Sequence, residues 1–504
     1  MISPDIANDQ DADILPSEVF VERSMPAILK TPDLVAIFIV AVFYITNAAI
    51  AASGGATAYI YWIAGALTFF LPCGIAAAQL GTLFPGEGSL YNWTHRVLGP
   101  YWAFFAGACW WFPVPLLLVS TADTLVTYIQ GLNSGWLVEP WQQGLTVIGI
   151  VVLSGVVACQ RARMVQVLVN FGALLILPAT ILIAASAALW LLHGHGSMTS
   201  FSHASDWSVS SQNFGLFSLV TLAYLGTHVP LNMGGEIVNN RTQQGRKAIS
   251  THILWGSLLV FVGYLVVTFA LHVVQGPTNG ATPFALIATV NLVLGKVAGN
   301  VVVVCIMTAF LITTIMYNAS FARLLLVGAI DQRLPITVGR LNVHRVPANA
   351  IIFQTSIAVL IAIIGFLAIP YAFFKLSAPA TLSIEFYTIG QALVAIVWAL
   401  ITLFFYIDLV MLVINKPQLL RQKRIFPWWV IWLAIGLGPL GCLATIAGAL
   451  RYSWIPQQIP DGIWFGILIV LLVITTTIVG IGSMYATSVV AWQRLRGDEM
   501  PDTQ

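Results

Sequence analysis

The chain has 504 residues, 59% of them hydrophobic and 8% charged, with a mean hydropathy of +0.89 and a formal net charge of +2. A soluble domain carries roughly 25% charged residues, so this chain cannot cover a water-facing surface and is not a soluble globular protein. Its basic residues are dispersed over short loops, which leaves no electrostatic footprint for nucleic acid. Five cysteines (Cys73, Cys109, Cys159, Cys305, Cys442) lie in or beside apolar runs without paired spacing, which argues against a disulfide framework or a metal site.

Residues 1–30 are polar and acidic, with Asp5, Asp9, Asp11, Asp13 and Glu18. They read as a flexible cytoplasmic tail without the apolar run of a signal peptide. Thr31-Pro32-Asp33 is a helix-start signature. Crossing a bilayer takes about 20 apolar residues. That criterion predicts twelve transmembrane helices, at 33–54, 57–81, 100–131, 141–160, 165–192, 212–237, 249–275, 297–328, 348–368, 383–414, 427–450 and 462–491. The third, eighth and tenth are long enough to tilt, and 280–296 reads as a short helix on the outer surface. With the N-terminus inside, 18 of the 21 Lys and Arg residues fall on the inner side, and Lys296, Lys375 and Arg451 are left outside. This is the positive-inside pattern, and it places both termini in the cytoplasm. The predicted division is a tail over 1–30, a transporter core over 31–415, spans eleven and twelve over 416–491, and a second tail over 492–504.

Two spans are irregular. Leu219 to Glu236 opens as a membrane helix and is then loosened by Gly226, Pro230, Gly234 and Gly235, with the polar Thr227, His228 and Asn232 where lipid would surround them. Unpaired backbone groups in hydrocarbon cost several kcal/mol each, so such a break is tolerated only inside protein or beside a cavity. Span one carries Thr46 and Asn47 near mid-membrane and ends in small residues up to Gly55. Interruptions five spans apart fit an inverted repeat of five plus five, with the ligand between the broken helices.

Three ordered motifs carry a resemblance. The first is Phe84-Pro85-Gly86-Glu87-Gly88-Ser89-Leu90-Tyr91-Asn92-Trp93, followed by Gly99-Pro100-Tyr101-Trp102. The second is Gly235-Glu236-Ile237-Val238-Asn239-Asn240 with Arg246-Lys247. The third is Tyr317-Asn318-Ala319-Ser320-Phe321-Ala322-Arg323, then Asp331-Gln332-Arg333-Leu334-Pro335, then Val346-Pro347-Ala348-Asn349-Ala350. Together they resemble amino acid permeases of the amino acid–polyamine–organocation superfamily, most closely in look the glutamate/GABA antiporter branch. The resemblance implies an all-α integral membrane protein of the leucine-transporter type, with broken helices 1 and 6 and alternating access. Two departures stand out. The Gly-rich turn common in span one is Thr46-Asn47-Ala48-Ala49 here, and the span-five lysine of many proton-coupled members is absent from Asn170-Phe171-Gly172-Ala173. The short C-terminal tail leaves little for a folded plug.

Half-helix N-termini offer free N–H groups and partial positive charge to a carboxylate. The candidate substrate residues are therefore Tyr44, Thr46, Asn47, Ala48 and Ala49 at the first break, and Ala223, Tyr224, Leu225, Gly226 and Thr227 at the second. Tyr224 either closes over the ligand or packs as an interior aromatic. Ionisable groups within spans are functional hypotheses by default. His228 is thus the first proton candidate and Asp123 and Glu385 are gate candidates, while Asp408 reads as interfacial. Thr313 and Thr314 mark where hydroxyls and span-one carbonyls would hold sodium. The expected partners are a small amino acid or amine and the lipid bilayer, with no cofactor, and the oligomeric state is open. A secondary transporter working by exchange is the reading favoured here, with proton-coupled uptake as the alternative. A channel predicts a continuous polar stripe and a membrane enzyme predicts clustered His, Asp and Glu, and neither pattern is present. A sensor on a transporter fold would differ only in carrying no flux.

Overall fold

Ten helices are long and apolar enough to cross a membrane: Thr57–Leu83, Pro100–Leu132, Pro140–Ala158, Ala162–Leu192, Gln243–Val274, Lys296–Ile330, Ala348–Ala372, Thr388–Asn415, Trp428–Arg451 and Asp461–Thr487. The computed structural model describes residues 15–133, 135–210, 213–282, 284–372, 379–456 and 458–498. Lys375, the first fourteen residues of the N-terminal tail and residues 499–504 of the other tail lie outside the described residues. Among the described residues no strand forms, apart from one isolated parallel bridge between Leu29 and Ile237.

Two further apolar segments are interrupted. One runs Thr31–Val42, breaks, and resumes as Asn47–Ala52. The other runs Gly215–Ala223, unwinds over 224–228, and continues as a 3-10 helix, Val229–Glu236. The predicted surface helix over 280–296 is Ala285–Leu294.

Prolines explain much of the helix geometry. Pro32, Pro100 and Pro140 begin their helices, where a missing N–H costs nothing. Two π-helical turns, Ala66–Phe70 and Ile363–Ala368, lie just before Pro72 and Pro370, absorbing the hydrogen bond that each proline cannot make. Helix Gln243–Val274 closes onto the first broken segment through small residues. A Cβ on Gly256 would meet the Phe38 ring at 2.5 Å, and one on Gly263 would meet the Phe43 ring at 2.7 Å. This close approach sets the neighbouring Tyr264 beside the first break.

The flexible tail expected over 1–30 is corrected over its described part. Residues Pro16–Ser24 form a helix that packs Val21 and Met25 on Leu326. The Glu18 carboxylate accepts from Arg96 at 2.7 and 2.8 Å and from Asn92 at 2.6 Å. Ser17 donates its backbone N–H and its hydroxyl to Asp331 at 2.9 and 3.0 Å. Acidic composition suggested a solvated segment, but these acids and hydroxyls meet partners that are far away in sequence. Asp408 is likewise fully buried rather than interfacial, and accepts from the Thr94 hydroxyl at 2.8 Å.

Glu18→Ala removes a buried, hydrogen-bonded charge and strands Arg96. We expect a loss of about 2–3 kcal/mol, read as a lower unfolding temperature in detergent. Glu22→Ala deletes the partner of Arg241 in a pair exposed by 41% and 51%, which is worth less than about 1 kcal/mol, so its unfolding temperature should stay close to that of the wild type.

Candidate functional site

The first break follows from two tyrosine hydroxyls that cap successive carbonyls at the end of the Thr31–Val42 helix. Tyr317 OH donates to Ala41 O at 2.5 Å and Tyr264 OH donates to Val42 O at 2.8 Å, while Thr313 Oγ1 lies 3.4 Å from Val40 O and bonds Ala309 O of its own helix at 2.9 Å. With these carbonyls satisfied from the side, the chain turns. Tyr44 N–H bonds Val42 O at 3.0 Å and Asn47 N–H bonds Tyr44 O at 2.8 Å, after which the second half-helix begins. Among the described residues the backbone N–H groups of Ile45 and Thr46 meet no acceptor.

At the second break, Gly226 adopts φ +101°, a backbone region that side chains with a Cβ strongly disfavour. Its amide and those of Thr227 and His228 also meet no acceptor among the described residues. The two breaks face each other: a Cβ on Gly226 would lie 3.6 Å from Ala41 O. The Tyr264 hydroxyl also lies 3.2 Å from Ala223 O, so the ends of both first half-helices compete for one proton. Two facing breaks thus each leave backbone donors unpaired among the described residues, two on the first and three on the second, and free donors at half-helix N-termini suit a carboxylate.

The side chains around these donors are mostly apolar or aromatic. Tyr44, half-buried, packs edge-on to Phe310 with ring centroids 5.2 Å apart, and near-parallel to Tyr317 at 6.3 Å. Thr46 and Asn47 are half-buried beside it, and Ala48 and Ala49 are buried. A narrow cleft lined by Phe43, Tyr44, Ile45, Ile176, Phe310 and Thr313 reaches the first break.

Tyr224 is fully buried, stacks on Phe70 at 4.4 Å, and donates to Trp62 O at 3.2 Å. Of its two readings, the geometry favours interior packing. Thr227 turns its hydroxyl to Cys73 Sγ at 2.8 Å. Thr314 turns away from the break and donates to Thr121 Oγ1 at 2.8 Å, so only Thr313 of that pair reaches the first segment. His228 is 2% exposed, with its ring centroid 3.9 Å from that of Trp110 and 4.5 Å from that of Phe405. Neither of its nitrogens has a hydrogen-bond partner among the described residues, and no ion pair forms with it. Asp123 and Glu385 are half-buried in their helices, and no hydrogen bond or ion pair joins either one to the breaks. Asn170, where the lysine is missing, donates to Asp33 Oδ1 at 2.7 Å and accepts from Gln166 at 2.8 Å.

Sequence reasoning missed Tyr264. It sits in an uninterrupted apolar helix, and its only signal is a lone phenol at mid-span, which must find a partner when buried.

The amino acid permease family matches residues 29–478, nearly the whole chain. This chain belongs to that family. It is similar to the serine/threonine exchanger SteT of Bacillus subtilis, at 27% identity over 64% of this chain and 72% of that protein. It also resembles the probable agmatine/putrescine antiporter AguD of Lactococcus lactis, at 25% over 51% and 54%. A third relative is the inner membrane transporter YjeM of Salmonella typhimurium, at 25% over 43% and 45%. The chain thus spans about half the length of the last two. The family and these relatives are transporters, and the family match makes this chain a multi-pass membrane transporter of the amino acid permease type.

Tyr264→Phe leaves two buried carbonyls to a single weaker partner or none, at a cost of about 1–3 kcal/mol, and should lower both the unfolding temperature and transport. Tyr406 is a control: it is buried with its hydroxyl unpaired among the described residues. Tyr406→Phe should therefore be neutral or stabilising in the same thermal assay.

Proposed function

We propose that this chain exchanges one amino acid for another across the cell membrane by alternating access. In this reading it has twelve crossings, a five-plus-five inverted repeat, and both termini in the cytoplasm. The observation that carries the reading is that two facing breaks each leave backbone amides unpaired among the described residues: Ile45 and Thr46 on one, Gly226, Thr227 and His228 on the other. Those donors hold the substrate carboxylate. The carbonyl ends of the two first half-helices, tethered by Tyr264, lie where the ammonium group would sit, and Tyr44, Thr46 and Asn47 border the side chain.

Donor excess makes an α-amino acid a better ligand than a diamine, which has no carboxylate for the amides. The serine/threonine exchanger among the relatives supports small neutral side chains. Exchange is favoured over proton symport because His228 has no ion-pair partner and Asn170 stands where the resemblance would place a lysine. Asp123 and Glu385 stand in the outer parts of their helices as gate residues in this reading.

Proteoliposomes loaded with unlabelled serine and threonine should take up labelled serine, while empty vesicles should not. Putrescine should be taken up at least about tenfold more slowly, the factor that 1.4 kcal/mol represents. Uptake into empty vesicles driven by an imposed proton gradient would replace exchange with symport. Saturable binding without flux would make the chain a sensor.

A further inference from the structure

Three segments on the side assigned to the cytoplasm meet at Glu87: the loop 84–89, the stretch closing Val229–Glu236, and the inner part of Lys296–Ile330. Arg323 is 2% exposed. Its guanidinium donates to Glu236 Oε1 from Nε at 2.9 Å, with Nη2 in ion-pair contact with the same oxygen at 2.9 Å, and to Ala319 O from Nη1 at 2.6 Å. Glu87 is 1% exposed. Its Oε2 accepts from the Gly235 N–H at 2.9 Å, while Oε1 has no hydrogen-bond partner among the described residues. The nearest guanidinium nitrogen to Oε1, Arg323 Nε, is 3.9 Å away and already donates to Glu236.

Two carboxyls therefore share one cation that is committed to the other. Among the described residues no second cation pairs with Glu87. On the N-terminal helix, Glu18 approaches Gly86, the residue before Glu87, and it is paired with Arg96 and, at 3.9 Å, with Arg241. Asp331 is held by Ser17, and Arg333 lies near Asp331 rather than Glu87. Burial first, and then the Glu236 charge, push the Glu87 carboxyl well above the usual carboxylate range. Arg323 and the Gly235 amide offset this only in part.

We propose that Glu87 is a proton-binding site of the cytoplasmic gate: its unpaired oxygen takes one proton from the cytoplasm as the three segments close, and returns it there as they part. The chemistry is one carboxylate plus one proton giving one carboxylic acid, and the reverse on opening. Because the proton enters and leaves on the same side, the gate senses cytoplasmic pH without carrying protons across the membrane. In the open gate the carboxyl is hydrated and titrates in its ordinary range; in the closed gate it titrates higher. Below the ordinary range both states hold the proton, so pH has no effect on the balance. Between the two values only the closed state holds it, and closure weakens as pH rises through that window.

The sidedness rests on the proposed orientation, but the test does not need transport. Infrared difference spectra between acid and alkaline samples of the purified full-length protein should show a protonated-carboxyl carbonyl band that persists above the ordinary carboxylate range. This band should be lost in Glu87→Gln. An unchanged band in Glu87→Gln, or no such band in the wild type, would overturn the proposal. Unfolding temperatures at neutral pH give a second reading. Glu87→Gln mimics the protonated acid and should match the wild type, whereas Glu236→Gln strips Arg323 of its partner and should unfold earlier. If Glu87→Gln unfolds as readily as Glu236→Gln, or does not fold, Glu87 is an ionised partner of Arg323 and the proposal fails.

Discussion

Backbone groups freed inside an apolar bundle need partners, and this fold frees them from two helices at one place. On the carbonyl side the demand is met by hydroxyls from neighbouring helices: Tyr317 and Tyr264 cap Ala41 and Val42 in turn. On the amide side no protein group answers among the described residues. That asymmetry is what the proposed binding site rests on: acceptors have been supplied with donors, and in this reading the remaining donors are left for a ligand. Tyr264 matters most because its single proton lies between carbonyls of both broken segments. Under the proposed alternating access, a shift of either segment would redistribute that bond.

The end of the fold that carries the N-terminal helix is built differently. There, buried charged groups find partners on segments distant in the chain: Glu18 with Arg96, Arg323 with Glu236, Asp331 with Ser17. Under the proposed alternating access, each pair joins elements that would have to separate for this end to open. The N-terminal helix takes part directly, and Leu29 pairs with Ile237 just past the second break.

The membrane class, the helix positions and both interruptions were legible in the sequence because apolar length, proline and glycine act locally. Gly226 and Pro230 announce the second break outright. Thr46 and Asn47 mark the first only approximately: the chain unwinds over Phe43–Thr46, and its cause lies in hydroxyls more than 200 residues away in sequence. The roles of Tyr264 and Thr314, the packing of Tyr224, and the burial of Asp408 and Glu18 were not legible, for the same reason. Which face of a helix a polar group occupies, and what it meets there, is set by tertiary packing. His228 shows the limit well: a histidine at a helix break suggests proton chemistry, yet the fold wraps it in Trp93, Trp110 and Phe405.

The most direct test of this account is a structure of the protein bound to the amino acid that it exchanges fastest. The account predicts the ligand carboxylate within about 2.7–3.2 Å of the Ile45 or Thr46 amide and of at least one amide among Gly226, Thr227 and His228. A ligand seated elsewhere, with those five amides still unengaged, would contradict it.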